Sequence, residues 1–333
     1  MITAIAGGVG AARLLAGIVQ VVEPSEITAV VNTGDDLVLH GLHISPDIDT
    51  VTYTLAGRDN RETGWGVADE TFTTMTELEQ LGGEAWFRLG DRDLATHLYR
   101  AQRLSEGATL SEVTAELAER RGVGVRLLPM SDEPVRTRLT LATDGEPEVA
   151  FQEYFVRLRH GVPVRSVRFD GAARARPAPG VLESIRSAAT VVACPSNPIV
   201  SIGPLLSVPG VRDALVARRD DVVAVSPIIA GSALKGPADR LLAELGHESS
   251  AVGVARLYAD WVGTIVIDDA DAHLAGAVEA EGIRCVVAPT VMSDRRRSAS
   301  LALAVLDAAP SRRDARGAAG DGAAAAGPGG SSR

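Results

Sequence analysis

"MITAIAGGVGAARLLAGIVQVVEPSEITAVVNT", residues 1–33, decides the fold. Residues 2–6 form a short apolar run, broken by Gly7, Gly8 and Gly10. Leu14, Leu15, Ile18 and Val22 then keep helical spacing. Residues 26–33 hold a second apolar run, as suits a strand covered on both faces. Strand, glycine turn, helix and strand within about 30 residues make a βαβ unit.

The same alternation returns after residue 181. "ATVVACPSNP", "DVVAVSPIIAG", "GTIVIDD" and "IRCVVAPT" read as four short buried strands. Helical segments near 210–218, 236–257 and 270–281 separate them, and an amphipathic helix at 294–308 follows. The expected fold is α/β: a doubly wound, mainly parallel, Rossmann-like sheet with ligands at the strand C-termini. Residues 1–124 and 181–310 supply this core, with helices within 71–121. Residues 125–180 read as a smaller antiparallel α+β insertion, because "VRTRLTLATDGEPEVAFQEYFVRLR" alternates around Asp144-Gly145. The tail at 311–333 is Gly, Ala, Ser and Arg without an apolar period, and is expected to be disordered.

Hydrophobic residues make up 46% of the 333, enough for a core, but aromatics only 4%, so aliphatic side chains must fill it. The net charge of -10 argues against a nucleic-acid partner, which calls for a basic stripe. Lys235 is the only lysine. Two cysteines, Cys194 and Cys285, make neither a disulfide framework nor a zinc site, and suggest a reducing, cytoplasmic setting. No apolar run reaches the 18 or so residues of a membrane span, and no export signal is visible, so no membrane partner is expected.

Candidate chemistry collects at strand ends. The loop Gly7, Gly8, Gly10 can bring backbone N–H groups and a helix N-terminus to a phosphate. It lacks the lysine of a Walker A loop and the dinucleotide spacing, so a tight turn without ligand is the alternative. "VVNTGDDLVLHGLHISPDIDTVTY", residues 30–53, places Asp35, Asp36, Asp47 and Asp49 after the second strand. Asp36 and Asp49 are the candidates for Mg²⁺, which takes one or two carboxylates plus substrate phosphates. The alternative is a helix cap at Asp47 with the other acids solvated. His40 and His43 lack the further ligands of a zinc site. In "WFRLGDRDLATH", residues 86–97, Arg88 and Arg92 near a helix start could clamp an anionic or planar group, or simply cap the helix. "CPSNPIVSIGP" (194–204) and "SPIIAGSALKGP" (226–237) offer Asn197 and Lys235 at further strand ends.

These motifs, with "GWG" and "FQEYFVR", occur in an order that resembles the 2-phospho-L-lactate transferase family, from about residue 1 to 308. The resemblance implies a transferase of coenzyme F-420 biosynthesis. The terminal ribityl hydroxyl of 7,8-didemethyl-8-hydroxy-5-deazariboflavin (Fo) would attack a guanosine diphosphate ester of enolpyruvate or lactate, releasing GMP, with Mg²⁺ as cofactor. Gly7, Gly8 and Gly10 would then lie near phosphate or nucleotide. Asp49 and Arg92 would contact the deazaflavin, and Arg88 is a further substrate-binding candidate. Asp49 and Asp36 would serve catalysis or metal, and Asn197 and Lys235 would contact guanine and phosphate. Asp49→Asn is expected to lower turnover while leaving stability nearly intact. A homodimer is expected. The rival readings are a nucleotide-sugar or nucleotidyl transferase that shares only the glycine loop, and a nucleotide-binding regulator resembling gluconeogenesis-factor-like proteins, which share the glycine loop and the "SNP" loop.

Overall fold

The structure is a computed structural model and describes residues 1–310. The expectation for 311–333 lies outside the described residues. Seven parallel strands form the central sheet: β1 (Ile2–Ala6), β2 (Ile27–Val31), β3 (Arg126–Pro129), β4 (Thr190–Ala193), β5 (Val222–Val225), β6 (Thr264–Ile267) and β7 (Arg284–Val287). Their spatial order is β7-β6-β5-β4-β1-β2-β3. Ile5 pairs with Val30 on one side and with Ala193 on the other.

Five of these strands, β1, β2, β4, β5 and β6, are buried at every residue, which is why they read as unbroken apolar runs. Alternate residues face opposite cores. Ile5 and Val30 pack into one, Ala4, Ala6 and Val31 into the other. The second core is closed by α1 (Val9–Ile18) against the last helix, α4 (Arg295–Ala308). Gly17 permits that packing: a Cβ there would stand 2.2 Å from the Ser298 carbonyl oxygen.

The strand order reverses between β1 and β4. Chain leaving β1 turns to one side and chain leaving β4 to the other, which opens a crevice at their C-terminal ends. Two further helices matter for what lines it: α2 (Pro46–Leu55) and α3 (Asp91–Ser105). A short hairpin, Leu37–Leu39 with Leu42–Ile44, sits inside the acidic stretch. Its turn carries His40 and Gly41 at positive φ, the pattern of a tight hairpin turn. That hairpin is not apparent from the sequence reading.

The insertion forms a three-stranded antiparallel sheet, with Arg136–Leu141 between Glu148–Ala150 and Val164–Asp170. Gly145, at φ +79, turns its hairpin. Its start differs from the expected residue 125. Arg126–Pro129 pairs in parallel with β2 and extends the main sheet, so the insertion begins beyond Pro129. Sequence could not separate the two, because a four-residue apolar strand looks alike in either sheet. Among the described residues no helix is long and apolar enough to cross a membrane.

Candidate active site

A cleft of about 610 Å³ opens at the switch point. Its floor is the glycine turn. Gly8 and Gly10 line it, and Gly7 lies just behind. All three glycines sit at close approaches, and only at Gly10 is the neighbour backbone. A Cβ on Gly7 would lie 2.6 Å from Ser201 Cβ, and one on Gly10 only 2.1 Å from the Pro195 carbonyl oxygen. One on Gly8 would meet Asp47 Oδ1 at 2.8 Å. The turn after β1 is therefore wedged against the loop after β4. The Gly7 amide already donates to Ser196 Oγ at 3.0 Å, so it is not open to a phosphate in this state.

Two acids of α2 divide the wall between them. Ser45 is the N-cap residue and Pro46 opens the helix. The Ser45 hydroxyl does not cap; it donates to Asp36 Oδ2 at 2.7 Å. Asp47 and Asp49 are two apart, so they point to different faces. Asp47 turns toward the glycine turn and accepts from Asn32 Nδ2 at 2.9 Å. Burial pushes its carboxyl up to about 7; the Asn32 bond opposes this and the Asp36 charge adds to it. Burial, then the charges of Asp47 and Asp36, raise Asp35 well above the carboxylate range. Asp35 Oδ1 and Asp36 Oδ1 are buried without a hydrogen-bond partner. Asp35 and Asp47 line the cleft, whereas Asp36 sits in the wall beside Ser45 and His43 Nε2, the latter at 2.9 Å.

Asp49 faces α3. Asp93, His97 and Arg100 recur there at i, i+4 and i+7, one stripe of the helix. Arg100 is fully buried and donates both terminal nitrogens to the Asp49 carboxylate, Nη1 at 3.0 Å. His97 Nδ1 lies 3.3 Å from Arg100 Nη1, and His97 Nε2 lies 3.1 Å from Asp93 Oδ2. Tyr53 donates to Asp93 Oδ1 at 2.5 Å. Burial would raise Asp93, but the His97 contact, the Tyr53 hydroxyl and the Arg100 charge hold it below its usual value. Asp49, Asp93 and His97 offer three ligand atoms within 4.8 Å of one another, a group that could hold a metal ion.

The cleft has two aromatic walls. Phe151 and Phe155, from the insertion, stack with centroids 5.6 Å apart on the side of Val200 and Asn197. Tyr53 and Phe87 stand on the side of Asp49 and Arg88, with Trp65 at the mouth. The chain has only three Trp, four Tyr and five Phe. Five of them meet in this one cleft, although aliphatic residues fill the cores.

With this geometry in hand the comparisons are specific. The sequence matches the family described as 2-phospho-L-lactate transferase CofD over residues 2–306. The chain belongs to that family. Curated relatives named phosphoenolpyruvate transferase are 48% identical in Kitasatospora aureofaciens, over 92% of this chain and 96% of that protein. One from Streptomyces griseus is 47% identical, over 92% and 98%. One from Mycolicibacterium smegmatis is 43% identical, also over 92% and 98%. A solved structure of a UPF0052 family protein from Bacillus halodurans superposes with a TM-score of 0.62 at 17% identity, covering 92% of this chain and 98% of that one. That likeness shows the fold alone.

For this member of the family, the expected site residues divide. Gly8, Gly10, Asp49, Arg88, Asn197 and Lys235 line the cleft. Asn197 Oδ1 is engaged in the turn that follows, accepting from Ile199 N at 2.9 Å. Lys235 Nζ donates to the Thr63 carbonyl at 2.6 Å. Arg88 lies over the Phe72 ring, 5.1 Å from its centroid. Arg92 is placed elsewhere. It is exposed, and its Nη1 donates to the Ala68 carbonyl at 3.1 Å, outside the cleft. The reason is helical: one step from Asp93 turns a side chain by about 100° off the inward stripe. The α3 N-terminus is also occupied, since Glu70 accepts from the Arg92 and Asp93 amides at 2.7 and 3.1 Å. Asp36 and Asp49, expected to share one ion, are drawn to different partners.

Sequence reading missed Arg100, Asp47 as a cleft acid, and the Phe151–Phe155 wall. The i, i+4, i+7 spacing of Asp93, His97 and Arg100 carried a signal for the first. The scarcity of aromatics carried one for the last.

Proposed function

We propose that the chain transfers a phosphoenolpyruvyl or 2-phospho-L-lactyl group from a guanosine diphosphate ester to the ribityl hydroxyl of Fo. Family membership makes it a transferase of coenzyme F-420 biosynthesis. The observation that supports the finer reading is the pair of aromatic walls in one cleft. Two planar groups, a guanine and a deazaflavin, need two such walls, and a nucleotide-binding regulator needs one. We assign guanine to the side of Phe155 and Asn197, and the deazaflavin to the side of Phe87, Arg88 and Asp49.

In this reading the acceptor oxygen forms a bond to the phosphorus that bears the three-carbon acid. The bond from that phosphorus to the GMP oxygen breaks, and the hydroxyl proton leaves to solvent or a carboxylate. Such a transfer depends on in-line placement and on neutralised oxygens more than on a strong base. Asp49, clamped by Arg100, is rigid enough to orient the hydroxyl.

Mg²⁺ belongs to the same proposal, and the donor atoms decide where it fits. Mg²⁺ prefers oxygen ligands. The group of Asp49, Asp93 and His97 includes a nitrogen, and Asp49 is already engaged by Arg100. Asp35 and Asp47 fit better: both face the cleft, Asp35 Oδ1 has no partner, and each is raised by burial beside another carboxylate. When bound, the ion would neutralise charge on the transferring phosphoryl group. A cytoplasmic homodimer completes the proposal, and sedimentation checks the dimer.

The deciding experiment incubates the protein with Fo, Mg²⁺ and each guanosine diphosphate ester, and weighs the product. Addition of phosphoenolpyruvyl or phospholactyl mass to Fo, with GMP released, is the expected result. Absence of any adduct with both donors would leave the family assignment standing and sink this acceptor.

A further inference from the structure

Among the described residues, two cations at the mouth of the cleft have no carboxylate partner. Arg13 stands on α1, one turn beyond Val9, and Lys235 on the loop after β5; both line the cleft beside the glycine turn. The point that a Cβ on Gly64 would occupy lies 2.5 Å from Lys235 Nζ and 3.6 Å from Arg13 Nη2, which brings the two charges to one spot. Among the described residues neither forms an ion pair. Arg13 reaches only the Met292 carbonyl at 3.5 Å, and Lys235 only the Thr63 carbonyl. Arginines such as Arg103, Arg168 and Arg256 are each matched to acids; what marks this pair is that two cations without an ion pair converge on one spot in the cleft.

The surroundings keep the pair in place. Gly64 has φ +80, a conformation that side chains rarely adopt, and its missing side chain admits the ammonium. Trp65 and Leu234, each next in sequence to one partner of this contact, also line the cleft and are exposed, which puts the pair at the entrance. Burial, and after it the Arg13 charge, lower the Lys235 pKa.

We propose that Arg13 and Lys235 form a two-pronged clamp for a substrate oxyanion at the cleft mouth, one helical turn from the glycine turn. A guanidinium and an ammonium together suit a diphosphate or a carboxylate, the fork fixing direction and the point charge adding attraction. Both groups occur in the donor proposed above, and the inference rests on that reading only for the donor's identity. On arrival the anion takes over the Lys235 donor that Thr63 now holds.

Lys235 is the only lysine of the chain, so one peptide reports on it. The test measures the rate of acylation of Lys235 by an amine-directed reagent, by mass spectrometry of that peptide, in the wild-type protein. Pyrophosphate and L-lactate are the separate probes. Pyrophosphate is expected to slow acylation by roughly tenfold near saturation, as charge-assisted contacts should. Protection by lactate instead assigns the clamp to the carboxylate. The variant Arg13→Gln should lose the protection, and Arg13→Lys should regain part of it. Calorimetric titration of pyrophosphate into Lys235→Gln, changed on an exposed loop, gives the second reading should Arg13→Gln not fold. No protection by either probe, or full protection in Arg13→Gln, overturns the clamp. Because no deazaflavin is used, a clamp that passes alongside a failed Fo assay faults the acceptor assignment only.

Discussion

Arg100 on α3 grips both oxygens of Asp49 on α2, and both side chains are buried. A buried charge depends on the counter-ion that it contacts directly. Removing one member of such a pair costs about 3–5 kcal/mol, because the other is left uncompensated. Asp49→Asn should therefore lower stability by several kcal/mol as well as turnover, contrary to the expectation from sequence that stability would hold. Urea unfolding of Asp49→Asn beside Asp49→Asn/Arg100→Met checks this. The double variant should recover part of the loss. A single variant within about 0.5 kcal/mol of wild type, as for an ordinary surface change, would refute the dependence.

The raised carboxyl of Asp47 gives a pH signature. Its folded value of about 7 exceeds the ordinary 3.8, so between those limits the native state holds a proton that the unfolded chain has released. Stability from this group is full below the lower value and is lost as pH rises through the upper one. Asp35, raised in the same direction, adds to the trend. The stability of wild type minus that of Asp47→Asn should accordingly fall from pH 4 to pH 7. Paired denaturation curves across that window decide it, and a difference that grows with pH contradicts the assignment.

The aromatic walls should separate the two ligands. Phe155→Ala should weaken GDP and leave Fo nearly unchanged, and Phe87→Ala should do the reverse. Each loss should be about 0.5–1.5 kcal/mol beyond the area removed. Calorimetry for GDP and fluorescence quenching for Fo measure the split. The opposite pattern would exchange the two sides of the cleft.

Gly8 and Gly10 should differ when changed to alanine. A Cβ at Gly10 meets backbone, the Pro195 carbonyl, which cannot yield without moving β4's loop. About 1–3 kcal/mol or more of overpacking strain is expected, visible as a lower melting temperature. A Cβ at Gly8 meets only the side chain of Asp47. Gly8→Ala should melt close to wild type and lose activity. Equal melting temperatures for the two variants would mean that the switch point is looser than it looks.

Much of the fold was legible because its signals are local. A five-residue run that is apolar but for Thr3, a glycine turn and a 3.6-residue period identify β1, the turn and α1 without reference to anything distant. The same period places Asp93, His97 and Arg100 on one stripe and turns Arg92 away from it. The position of the site also followed, since parallel strands put their C-terminal ends at one edge of the sheet.

What sequence by itself determined, then, was the kind of fold, the edge where chemistry gathers and the faces of single helices. Only the tertiary structure decided which of those faces meet. Asp49 and Arg100 are 51 residues apart, and Gly7 and Ser196 are 189 apart. Whether an aspartate is a free ligand, a protonated acid or half of an ion pair depends on its burial and on its nearest charge. Both are set by the packing of other elements against its own. Spacing along one chain segment fixes direction, but the partner at the end of that direction comes from elsewhere in the fold.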